Sequence, residues 1–358
     1  MNADGLIVTS HVGERRRVGG RFVADALMDL HAAHGVAAGI LLRGAEGFGL
    51  SHHLRSDASL TLSEDMPMVA MAVDAAGRIE AMLDRATALS GPGLITLERV
   101  RMLTGAPGAV ALPDELRDAA KLTVHMGRGE RCRGMPAHVA VCRLLHRCGI
   151  AGATALVGVD GTAAGRRRRA RFIGANRAVP AMVVAVGDGE RIARAMPEIG
   201  RLVRRPVMTL ERVRVCKRDG ETFAVPRRLP AADGRGMALW QRLTVYTSEA
   251  DRHGGRSLHR AIIDDLRAAG ALGATAVRGV WGFHGDHEPH GDRLFQLGRR
   301  VPVATTVVDS PARIARWFAV IDALTQEHGL VTCEIVPAVY ATATEGRRGG
   351  IRMARHRR

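Results

Sequence analysis

The sequence predicts an α+β fold built from three tandem copies of one strand-helix-strand-strand-helix-strand unit. Three observations carry this. An apolar run ending in Gly-x-x-Gly occurs three times, at Gly39–Gly49, Gly152–Gly161 and Gly273–Gly282. Residues 124–158 can be laid on 245–279 at a constant offset of 121, and the first copy joins that register after a two-residue shift before its first helix. The later halves match at Pro67, Pro180 and Pro302, at Arg78, Arg191 and Arg313, and at Thr96-Leu97-Glu98, Thr209-Leu210-Glu211 and Thr332-Cys333-Glu334. Units of about 100 residues have the size of ordinary domains, and a period that long indicates tandem domains, not a solenoid. The units are assigned to residues 1–103, 121–216 and 242–345. Segments 104–120 and 217–241 contain Pro and Gly and read as linkers, and 346–358 is a basic tail.

The elements follow in order. Residues Gly5 to Ser10 read as a strand around Leu6-Ile7-Val8, matched to Leu122-Thr123-Val124 and Leu243-Thr244-Val245. From Arg21 to His31, Phe22, Val23, Ala26, Leu27 and Leu30 fall on one side of a helix. Pro136 suits a first helical turn in the second copy and Ser257 is a candidate N-cap in the third, while Gly35, Gly149 and Gly270 close the helices. The second strand is Val36 to Leu42 and ends in the Gly-x-x-Gly pattern. The third opens at Pro67, where proline removes no ladder bond. Ile79, Leu83, Ala86 and Leu89 then share one face of a second helix, and Leu94 to Arg101 forms the closing strand. This is the order of a ferredoxin-like sandwich, with two helices on one face of a four-stranded antiparallel sheet. Several strands are apolar on both sides, so the open sheet face needs cover, which three copies supply to each other.

Of 358 residues 46% are hydrophobic but only 3% aromatic, so the cores are aliphatic. No apolar run approaches the roughly 18 residues of a membrane span, and the N-terminus is polar within ten residues, so no export signal is expected. Five cysteines without a Cys-x-x-Cys pair indicate neither a disulfide framework nor a thiolate metal site and fit a reducing cytoplasm. The net charge is +16, and arginine supplies nearly all the basic residues, which favours bidentate contacts with phosphate or carboxylate.

The run Leu42-Arg43-Gly44-Ala45-Glu46-Gly47-Phe48-Gly49, followed by Leu62-Ser63-Glu64-Asp65-Met66-Pro67, closely resembles the bacterial family known as domain of unknown function 190, which is PII-like. The resemblance covers each unit almost end to end and is weakest in the second, where Thr162-Ala163 replaces Phe48-Gly49. It implies trimers with inward-facing sheets, so one chain is expected to act as a fused pseudo-trimer without further subunits. The long loop after the second strand, the T-loop, is then expected to project toward a protein or membrane-protein partner. It also implies an adenine nucleotide in clefts between units, bound by a Gly-Phe-Gly segment at the T-loop base. Gly47, Phe48 and Gly49 match that segment, and Gly282-Phe283 match it in part. The residues agree in kind, because closely spaced glycines let backbone N–H groups approach phosphate oxygens while Arg43 or Arg278 complements the charge. The expected site for a small anionic ligand is therefore Arg43, Gly44, Gly47, Phe48, Gly49, Arg99 and Arg101, with Arg278, Gly279, Gly282 and Phe283. A lysine expected near Gly93 is replaced by Leu94.

Three rival readings compete with this one. The third T-loop holds His284, His287 and His290 three apart among acids, which suits a metal-binding role like that of the copper-tolerance CutA proteins, although an exposed polar loop is the simpler account. Arg166 to Arg169 and the basic tail would attract nucleic acid or acidic headgroups. Nucleic acid is disfavoured because no aromatic stacking platform is evident. An enzyme is not expected: there is no Gly-x-Ser-x-Gly elbow, Walker loop or His-Glu-x-x-His helix, and Glu98, Glu211 and Glu334 read as solvent-face or inter-unit pairing residues.

Overall fold

The computed structural model describes residues 2–49, 52–57, 65–91, 93–105, 107–163, 166–170, 178–232, 239–285, 287–291, 301–336 and 338–341. It is a mixed α/β molecule with six α-helices among the described residues. The first unit comprises β1 (Asn2–Gly13), α1 (Val23–Ala33), β2 (Ala38–Arg43), β3 (Glu46–Phe48), β4 (Pro67–Ala75), α2 (Ala76–Ser90) and β5 (Leu94–Thr104). The second comprises β6 (Ala120–Gly127), α3 (Ala137–Arg147), β7 (Gly152–Val157), β8 (Asp160–Ala163), β9 (Pro180–Gly187), α4 (Gly189–Leu202) and β10 (Val207–Arg212), followed by β11 (Arg214–Arg218). The third comprises β12 (Trp240–Ser248), α5 (Leu258–Ala268), β13 (Ala274–Arg278), β14 (Trp281–His284), β15 (Pro302–Asp309), α6 (Pro311–Leu324), β16 (Leu330–Val336) and β17 (Ala338–Ala341). Strand β11 runs through the boundary drawn after residue 216, and the tail 346–358 lies outside the described residues.

Each unit has an antiparallel sheet ordered second, third, first, last strand: β2-β4-β1-β5, β7-β9-β6-β10 and β13-β15-β12-β16. The helices cover one face because their apolar stripes match the alternate strand residues beneath them. In the first unit Leu27, Met28, Ile79 and Met82 pack on Leu6, Val8, Leu41, Ala70 and Leu97. Gly35, Gly149 and Gly270 take left-handed φ after the helices, as C′ glycines do. Pro136 and Ser257 stand at N-cap positions, but the Ser257 side chain makes no capping bond.

The opposite sheet face is where the units meet. Ile40, Leu42 and Val69 of the first, Leu156 and Met182 of the second and Val277 of the third form one buried cluster. Backbone pairing joins the units as well, in two sets. Strand β3 extends the third sheet at β13, β8 extends the first at β2, and β14 extends the second at β7. The end of β5 pairs with β10, β11 pairs with β16, and β17 pairs with β5. Each set runs once through all three units and returns to its start, so every edge strand it touches is covered by a neighbour.

The register corrects one alignment. Thr9 pairs with Thr96, Thr123 with Thr209 and Thr244 with Thr332. The equivalent of Lys121 and Arg242 is therefore Ile7, two residues away from the match proposed on apolar pattern. A slip of two residues keeps every side chain on its own face, so the apolar pattern does not detect it and the hydrogen-bond ladder does. The T-loop spans Arg55 to Ser63, Ala163 to Arg171 and Gly285 to Asp292, expected to be the least ordered, lie partly outside the described residues. Within the described parts, Arg55–Ser56, Arg166–Arg167 and His290–Gly291 return as short strands on β3, β8 and β14.

Candidate functional site

The glycines of the repeated pattern serve first as inter-unit contacts. A Cβ on Gly47 would stand 2.6 Å from the Ala274 carbonyl oxygen, and one on Gly279 2.8 Å from that of Ala155. Gly161 and Gly282 lie still closer to the carbonyls of Gly39 and Ala153. Gly44 N donates to Pro67 O at 2.7 Å, as Gly158 does to Pro180 and Gly279 to Pro302. The pattern thus lets one unit's backbone lie against the next unit's edge strand. The approach at Gly161 is among the tightest of these contacts, although its motif is the one that departs from Gly-Phe-Gly.

Beside β3 a cavity of about 500 Å3 opens between the first and third units. Gly47, Phe48 and Gly49 line it from one side, and Trp240, Gly273 to Thr275 and Val308 from the other. The turn after β1 adds Arg15 and Arg16, the T-loop adds Arg55, and Asp65 is the acid among them. Asp65 accepts from the Arg15 backbone at 2.6 Å and pairs with Arg55 at 2.9 Å. Trp240 is 6% exposed and its Nε1 is buried without a hydrogen-bond partner. The Phe48 ring stacks near His52 with centroids 5.9 Å apart. Burial lowers the pKa of His11, which also lines the cavity, to about 4, so it stays neutral.

Three of these residues have no counterpart at the other junctions. The β1 turn is closed by Arg16 N donating to Gly13 O, and the same bond runs from Glu130 to Gly127 and from Asp251 to Ser248. The first unit therefore carries an arginine where the other two carry an acid, and Arg15 stands where they have Gly129 and Ala250. By the sheet register, Trp240 corresponds to Ala119 in the second unit. Repeat comparison in the corrected register reveals this charge reversal; motif reading passed over it.

The arginines expected at the site lie elsewhere. Arg43 is held by Glu14 through two bonds of 2.9 Å. Arg278 bonds Glu249 at 2.8 Å and pairs with Asp57. Arg101 donates to Ala111 O at 3.3 Å, and Arg99 lines a second cavity of about 860 Å3. That larger cavity mixes Arg99, Arg212 and Arg214 with Glu98, Glu211 and Asp188, so its charges offset one another. Phe283 is 2% exposed in the core of the second unit, with its ring 5.0 Å from that of His146.

Glu98, Glu211 and Glu334 meet, with one carboxylate oxygen from each within 4.8 Å of the others. They are inter-unit residues, 4–5% exposed, and not solvent-face ones. Lys121 Nζ lies 2.8 Å from Glu211 and 2.5 Å from Glu334, while Arg242 grips Glu98 and Glu334. With Ile7 in the third cation position, three acids share two cations. Glu211 carries the deficit: burial raises its pKa, the Lys121 ammonium opposes this only in part, and its Oε1 has no partner. Glu334 is shifted down, since Arg242 and Lys121 outweigh its burial. The Lys121 ammonium and the Arg242 guanidinium supply the positive charge of this cluster.

Two further loop features have their place. In the second T-loop Arg167 is folded inward, against Asp160 of its own unit and Asp25 and Asp29 of α1. In the third, His284 is 3% exposed with Nδ1 3.4 Å from Asp219 and Nε2 3.5 Å from Asp251. Burial alone would lower its pKa, but these two carboxylates raise it to about 9. His287 joins His284 at a ring separation of 5.2 Å, whereas His290 turns its Nδ1 to Glu288 O at 3.0 Å.

Comparison with known proteins matches these three units to one family. The profile of domain of unknown function 190 (DUF190, uncharacterized ACR) matches residues 5–102, 119–215 and 240–338. The UPF0166 protein of Aquifex aeolicus (strain VF5) is similar to this chain, with 29% identity over 98 residues that cover 27% of this chain and 91% of that protein. Among the described residues no helix is long and apolar enough to cross a membrane.

Proposed function

We propose, for a chain that belongs to the family of domain of unknown function 190, that it is a non-catalytic PII-like regulator whose three ferredoxin-like units close as an intramolecular pseudo-trimer. Its ligand is a small anion of the adenine nucleotide class, bound between the first and third units, and its T-loops contact a protein partner. One observation carries the ligand reading: the cavity beside Gly47-Phe48-Gly49 combines Arg15, Arg16 and Arg55 with the unpartnered indole of Trp240. Guanidinium groups suit phosphate oxygens, and an indole offers a stacking face and a donor for a base. A volume of about 500 Å3 lies within the ordinary range for small-ligand pockets. The cyclic strand pairing supports the pseudo-trimer, since each inter-unit pairing has two equivalents.

The three junctions are unequal in this reading. Thr162 replaces Phe48 in the second unit, and acids stand at the positions of Arg16 in the second and third, so only the junction of the first and third units favours an anion. Calorimetric titration of the whole chain with ATP, ADP, AMP and cyclic AMP tests the proposal. At least one is expected to bind, and the Arg15→Ala/Arg16→Ala variant to bind at least tenfold more weakly. Absence of heat from all four, or undiminished binding by the variant, would overturn it.

A further inference from the structure

The strongest unassigned cluster lies at the junction of the second and third units, away from the nucleotide cavity. Asp219 sits at the tip of the hairpin that follows β11, while His284 ends β14 and His287 follows in the next turn. One ligand atom from each lies within 4.8 Å of the other two. Two imidazoles and a carboxylate are a usual donor set for zinc-like ions, and three protein ligands leave a position for water or a further group.

We propose that Asp219, His284 and His287 bind a divalent cation of the zinc class. The surroundings support this set. Asp251 faces Nε2 of His284 at 3.5 Å, on the opposite side of the ring from Asp219. A carboxylate there orients a ligating imidazole and raises its basicity, as acids behind metal-bound histidines commonly do. A cation bound at His284 Nδ1 leaves the ring N–H on Nε2, on the side that faces Asp251. The backbone is shaped for the approach too. Gly285 has φ +58°, and a Cβ there would overlap the Asp219 carboxylate. His290 contributes no ligand in this arrangement, although its Nε2 is buried without a partner.

The test is equilibrium dialysis of the untagged full chain against Zn2+, with the visible absorption of the Co2+ derivative as a second readout. His287 is exposed, so His287→Ala is expected to fold. Asp219 has φ +47°, a conformation asparagine also adopts, so Asp219→Asn keeps the turn. Both variants are expected to bind Zn2+ at least tenfold more weakly and to lose the Co2+ ligand-field bands. His53→Ala, an exposed histidine of the first T-loop, is expected to behave as the parent chain. No Zn2+ binding by the parent chain, or equal binding by all variants, would overturn the site. The outcome is separable from the nucleotide reading, because neither variant touches that cavity.

Discussion

Replacing Gly161 with alanine is predicted to destabilise the chain by about 2–3 kcal/mol, although the residue touches no proposed ligand. The new Cβ would overlap the Gly39 carbonyl oxygen and stand 2.7 Å from Pro180 Cγ and 3.1 Å from Ile40 Cα. Two of these obstacles are backbone and the other is a proline ring, so no flexible side chain can yield. Relief requires β8 to move off β2, which strains the bond from Val159 N to Leu41 O at 2.8 Å. Overpacking of this kind costs about 1–3 kcal/mol, and a rigid surround places this case toward the upper end. The control is Gly49→Ala, where no atom lies within 4 Å of the added carbon and the expected change is within about 0.5 kcal/mol. Equilibrium urea unfolding of both variants, followed by circular dichroism, makes the comparison. If Gly161→Ala unfolds like the parent chain, the assignment of the repeated glycines to inter-unit packing is wrong.

Other outcomes follow from the same structure. Glu211→Gln should cost little or stabilise, because it removes the acid in excess, whereas Glu334→Gln removes the carboxylate that Lys121 and Arg242 share and should cost about 3–5 kcal/mol in the same unfolding assay. Arg167→Ala should cost about 3 kcal/mol by removing the cation bonded to Asp160, which is 2% exposed, while Arg166→Ala and Arg168→Ala should change stability by less than about 0.5 kcal/mol; equal effects would return the arginine run to a solvated loop. Burial holds His31, His125 and His259 down to about 4 from 6.5, so below pH 6.5 the unfolded chain binds protons that the folded chain refuses. Stability should therefore fall as pH drops from about 6.5 to about 4, by up to about 3 kcal/mol for each histidine, and a flat profile across that window would contradict their burial. The raised Glu211 acts in the opposite sense, its contribution being lost as pH rises through its folded pKa.

Much of the fold was legible because it repeats. Pro67, Pro180 and Pro302 open equivalent strands, and Gly35, Gly149 and Gly270 close equivalent helices. These residues have few other uses, so three coincidences fix a register. Apolar strands carry no such marks, and Ile7 was therefore set two residues out of line with Lys121 and Arg242. The candidate site was legible in its backbone and not in its charges. Gly47-Phe48-Gly49 does line the cavity, but Arg43 and Arg278 are taken by Glu14, Asp57 and Glu249. Which carboxylate captures a given arginine depends on contacts between segments 29 or 221 residues apart, which no motif records. The histidine loop shows the same limit: its spacing pointed to His284, His287 and His290, while Asp219 comes from the hairpin after β11, 65 residues before His284.

The central claim is that three fused units retain one anion cleft, at the junction of the first and third. Equilibrium dialysis of the whole chain against radiolabelled ADP counts the sites directly. One ADP per chain is predicted, displaced by the Arg15→Ala/Arg16→Ala change and kept in Arg43→Ala. Three equivalent sites per chain, or none, would contradict it.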